Sequence, residues 1–87
     1  MNPVARQMTQ IRNRYPDTII LCRLGDFVEA YAQDAVTVSQ VLDTSTAQRT
    51  MNDGSRGMVT GFPYRALDAS VAKLIDAGHA VALCEHS

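Results

Sequence analysis

The chain has 87 residues with 46% hydrophobic content and a formal charge of −1, from 8 basic and 9 acidic side chains. That is enough for one domain with one core, and too apolar for a disordered segment. The near-neutral balance argues against a protein that grips phosphates by charge alone, and the absence of an apolar run of about 18 residues argues against a membrane span. Seven of the eight basic residues are Arg, and Lys73 is the exception. Arg suits bidentate recognition of phosphate or carboxylate, although a GC-rich genome also favours it.

Taken in chain order, residues 3–14 predict a helix. Asn2 can cap it, Pro3 suits its first turn, and Val4, Met8 and Ile11 form one apolar stripe. "YPD" at 15–17 ends it, because a residue before proline is pushed out of the α region. "TIILCRL" (18–24) is β-branched and apolar, as a buried strand should be. "GD" (25–26) is a two-residue hairpin turn, and "FVEAY" (27–31) is the returning strand. A second helix is expected over 33–42, with Ala35, Val38, Val41 and Leu42 facing inward. "DTSTAQRT" (43–50) reads as an edge strand, "MNDGSRG" (51–57) as a loop, and "MVTGF" (58–62) as a brief strand. "PYRALDASVAKLIDAG" (63–78) predicts the clearest helix, with Leu67, Val71, Leu74 and Ile75 as its stripe and Gly78 as its C′ residue. "HAVALCE" (79–85) is the last strand. The order α-β-β-α-β-β-α-β implies an α/β (α+β) fold, a small mixed sheet surrounded by three helices. The chain stops directly after that strand, which suits a domain cut from a longer chain as well as a stand-alone copy.

The chemistry expected of an enzyme is missing from the pattern. There is no GxxxxGK[ST] phosphate loop, no GxSxG, no HExxH and no CxxC. Cys22 and Cys84 sit inside apolar runs and read as reduced core thiols of a cytoplasmic protein. His79 follows the Gly78 cap and is expected at the surface, complementing the helix end. His86 lies in the terminal tail.

The segment "LGDFVEAY" (24–31) poses the functional question. Strand alternation puts Phe27 and Glu29 on one face and Val28 and Ala30 on the other. One reading is an amphipathic hairpin partly covered by a helix. Another uses ring and carboxylate together. An apolar wedge can enter a base step, and unstacking costs least where pairing is weak. A carboxylate beside it accepts from base donors, and in the anionic field of DNA its pKa rises so that it can also donate.

"GDFVEAY" resembles the Gly-Asp-Phe-X-Glu segment of the N-terminal, mismatch-recognising domain of bacterial MutS-type mismatch-repair proteins. The likeness spans the chain. "YPDTIILCRLGDF", "SQVLDTSTAQR" and "GFPYRALDASVAKLIDAGHAVALCEHS" are similar to successive family segments, with Gly61, Pro63, Tyr64, Gly78 and Cys84-Glu85 in order. The resemblance implies that Phe27 stacks on a mispaired or unpaired base from the minor groove and that Glu29 hydrogen-bonds to it. It implies that Arg49 lies near the DNA backbone, with Arg56 and Met58 near the minor-groove surface. Two positions depart from the family pattern: Val28 replaces a usual aromatic, and Gln48 a usual Lys. The implied partners are double-stranded DNA with mismatched or unpaired bases and the remaining domains of a MutS-like parent. The location would be bacterial cytoplasm, at the nucleoid when bound. No cofactor is expected in this chain; ATP and Mg would belong only to a full-length parent. The alternative is an interaction module, stand-alone or carried by a mobile element, that binds ordinary DNA or a protein without mismatch selectivity.

Overall fold

The computed structural model describes the backbone of residues 3–50 and 54–85, and side chains within those ranges from Arg6 onward. The expected Asn2 cap, the Val4 side chain, residues 51–53 and His86 lie outside the described residues. The elements are α1 (Pro3–Arg14), β1 (Thr18–Leu24), β2 (Phe27–Tyr31), α2 (Ala32–Leu42), β3 (Thr46–Thr50), β4 (Arg56–Pro63), a 3-10 turn (Tyr64–Ala66), α3 (Leu67–Asp76) and β5 (Ala80–Glu85). They form a five-stranded mixed sheet in the order β3-β4-β2-β1-β5, in which only β1 and β5 run parallel. This is the α+β architecture expected from the sequence, with helices on both faces.

The two faces carry different cores. Ile19, Leu21, Val28, Ala30 and Phe62 meet Val38 and Leu74 on the side of α2 and α3. On the other side Ile20, Cys22 and Cys84 are covered by Met8 and Ile11 of α1, with Tyr31 at the margin. Helix α1 packs on β1 and β5. The strands β2, β4 and β3 extend that second face beyond it.

Local chemistry explains the joints. Gly25 takes φ +64 in the β1–β2 turn, where an L side chain would be strained. Helix α3 ends in a Schellman arrangement: His79 N–H donates to Leu74 O at 3.0 Å, Gly78 N–H to Ile75 O at 2.9 Å, and Gly78 has φ +96. At the other end of the sheet the β1–β2 register stops at the Cys22–Glu29 pair. The Ile20 N–H, two residues further on, donates instead to Asp34 Oδ2 in the first turn of α2, at 3.1 Å. Arg12 of α1 binds the same carboxylate oxygen and also donates to Pro16 O at 2.6 Å.

Three expectations need correction. Strand β4 starts at Arg56, inside the expected loop, and holds Pro63, because the Pro63 backbone is extended (ψ 145) and the helical turn begins only at Tyr64. Strand β3 begins at Thr46, because Asp43 closes α2 in the left-handed region (φ 59). Ile75 is 57% exposed and does not belong to the α3 stripe. It follows Leu74, which faces the core, and successive helical residues point about 100° apart. His79 follows Gly78 as expected and is partly exposed, lining a cleft with Arg12 and Asp34.

Candidate nucleic-acid interface

The β1–β2 hairpin ends in an apolar tip. Register pairs Leu24 with Phe27, so their side chains share the α1 face, and they are 44% and 43% exposed. Neither is needed by the core, which Val28 and Ala30 fill from the opposite face. The Phe27 ring lies across β4 at Gly61. A Cβ at that position would collide with the ring and stand 2.7 Å from Val28 O. Gly61 therefore lets the ring come close against the neighbouring strand while Phe27 stays exposed to solvent.

One step further along β2, Glu29 is 6% exposed. A carboxylate with so little water requires partners. Arg49 supplies a bidentate pair, Nη1 to Oε1 at 2.8 Å and Nη2 to Oε2 at 2.7 Å, and the Tyr31 hydroxyl donates to Oε1 at 3.0 Å. Arg49 sits on β3, with β4 between it and Glu29. On this face β4 presents Gly57, Val59 and Gly61, so two positions without side chains flank the path of the guanidinium. The Arg49 hydrogen bonds hold Glu29 below the usual carboxylate range, and they outweigh burial, which acts the other way. Burial and the Glu29 charge push the Tyr31 phenol up. Glu29 is thus ionised and Tyr31 neutral, so the phenol donates and the carboxylate accepts.

The predicted residues divide between the two faces. Phe27, Glu29 and Arg49 come together. The β3–β4 register places Arg56 opposite Thr50 and Met58 opposite Gln48, alternate to Arg49 and Gly57, hence on the α2 side of the sheet. Leu24, Tyr31 and Gly61 also belong to the site, and sequence reasoning gave none of them a role in it. The Leu24–Phe27 pair was recoverable from the Gly-Asp turn, which fixes the hairpin register. The Glu29–Arg49 pair was not, because it depends on strand order. A cleft of about 460 Å³ lies by Arg12, Pro16, Asp34 and His79 and reaches Tyr31, but none of Phe27, Glu29 and Arg49 lines it. Among the described residues no group of three or more His, Cys, Asp or Glu is placed to hold a metal. None of the described helices is long and apolar enough to cross a membrane.

The family model described as MutS domain I matches residues 2–87. A protein of Methanothrix thermoacetophila named DNA mismatch repair protein MutS is 38% identical over 98% of the chain. Proteins of the same name from Fervidobacterium nodosum and Salinibacter ruber are each 42% identical, over 98% and 95% of it. The chain spans about a tenth of the length of these relatives. With its fold, its full-length match to the family model and these relatives in agreement, the chain belongs to the MutS domain I family.

Proposed function

We propose that this domain tests duplex DNA for mismatched or unpaired bases, as the probing part of a mismatch-repair protein. Phe27 enters a weakly held step from the minor groove and stacks on the base, and Glu29 hydrogen-bonds to that base. Arg49 and Arg56, the latter exposed at the start of β4, supply backbone contacts. Met58 is half-buried on the α2 side and is given no contact. The role is binding, not catalysis, and any ATP or Mg chemistry belongs to the parent protein. The observation that carries the reading is Phe27, a residue 43% exposed at a hairpin tip, with an ionised carboxylate next to it on the same face. A wedge needs a free plane and a rigid mount, and the hairpin and Gly61 provide both.

The exposed Leu24–Phe27 pair would also suit a protein partner, and this is the competing reading. Fluorescence anisotropy at low salt separates the two, using matched and G·T duplexes against the wild-type chain and Phe27→Ala. Loss of the preference for the G·T duplex in the variant supports the wedge. An unchanged preference, or no preference in the wild type, removes it.

A further inference from the structure

Three of the roughly four acceptor positions of the Glu29 carboxylate are already taken: the Arg49 fork lies on both of its oxygens, and Oε1 also accepts from Tyr31. The arginine is the outer partner: its side chain is 50% exposed and that of Glu29 is 8% exposed. A base approaching this face meets a guanidinium before it meets the carboxylate. Arg49 also belongs to no buried part of its own strand, since every residue of β3 is exposed. Its one ion pair among the described residues reaches across β4 to Glu29.

We infer that Arg49 is a latch: it holds Glu29 in the free domain and releases it by moving to a DNA phosphate, so that the carboxylate reaches a base only after the domain is seated on the backbone. The inference rests on the reading that this face meets DNA, and it deepens that reading. The exchange is chemically even for the arginine. A guanidinium fork matches a phosphate as well as a carboxylate. It is uneven for Glu29. A buried carboxylate stripped of its cation is strongly disfavoured unless another donor or a proton replaces it. A base with unsatisfied hydrogen-bonding groups can do this, whereas a paired base has committed its groups to its partner. The latch thereby converts the cost of freeing Glu29 into discrimination. The other groups facing the carboxylate are Tyr31 from its own strand and Cys22 from β1, while β4 contributes only Gly57, Val59 and Gly61. None of these can substitute for the arginine's charge. Arg49 is on this account a positioning residue that sets when Glu29 acts.

The test is NMR on the full chain at low salt and millimolar concentration, following the Glu29 carboxyl carbon, the Arg49 guanidinium nitrogens and the Phe27 ring. In the free chain Arg49→Gln should raise the Glu29 titration midpoint, and Arg49→Lys, which keeps the charge without the fork, should raise it less. On addition of a G·T duplex the Phe27, Glu29 and Arg49 signals should shift together. A shift of Phe27 with Glu29 and Arg49 unmoved would overturn the latch and leave the DNA reading standing. No shift of Phe27 with either a matched or a mismatched duplex would overturn both.

Discussion

A Cβ at position 61 would meet the Phe27 ring and the Val28 carbonyl together. Gly61→Ala is therefore expected to destabilise the fold by about 1–3 kcal/mol, the usual range for overpacking, in urea unfolding. In a Phe27→Ala background the penalty should shrink without vanishing, because the ring yields and the carbonyl does not. Glu29 gives a second prediction at this scale. Arg49 depresses its folded pKa below the ordinary 4.5. A depressed acid contributes stability that is full above the unfolded value and is lost as pH falls through the folded one. Urea midpoints measured from neutral pH down through the carboxylate range should fall more for wild type than for Arg49→Gln. Equal slopes would mean that the pair adds nothing to folding. Alternation alone made the shared face of Phe27 and Glu29 legible. It could not say that the acid is buried and the ring free, because that depends on Arg49, twenty positions away in sequence and two strands away in space.

Asp34 holds three elements at one point: α2, which carries it, β1 through the Ile20 N–H, and α1 through Arg12. Asp34→Ala strands a buried backbone donor and is expected to cost roughly 1–3 kcal/mol. Asp34→Asn retains an acceptor for Ile20 and should cost less. Thermal or urea unfolding of the two variants checks the order. The elements themselves were readable in the sequence, since each had a clear period and a turn signal at its end. Their edges were less so. Pro63 suits either a helix start or an extended residue, and only its pairing with Phe27 across the sheet decides for the strand. Ile75 completes an apolar pattern on paper, yet the stripe that α3 buries turns on Ser70 and Leu74. Cap chemistry was more reliable: Gly25 and Gly78 both take the positive φ that their turns demand.

At the scale of the molecule, one sheet serves two purposes. Its α2/α3 face is committed to the core, and the β2–β4–β3 part of its other face carries Phe27, Glu29 and Arg49. The Cys22 and Cys84 thiols lie fully buried between β1, β5 and α1. Burial, and after it Cys84, push the Cys22 thiol up to about 12. Neither thiol should react with a disulfide reagent in the native state, and labelling should keep pace with unfolding as denaturant is added. A charge of −1 also predicts weak DNA binding by the chain alone, no tighter than the roughly 10⁻⁴–10⁻⁶ M of non-specific complexes and weaker still as salt rises. The most direct test of the wedge reports on stacking itself. A duplex with 2-aminopurine beside a G·T pair should brighten on saturation with the wild-type chain. The matched duplex should stay dark, and so should the mismatched duplex with Phe27→Ala. Binding of the mismatched duplex, seen by anisotropy, without any gain in 2-aminopurine fluorescence would contradict the account.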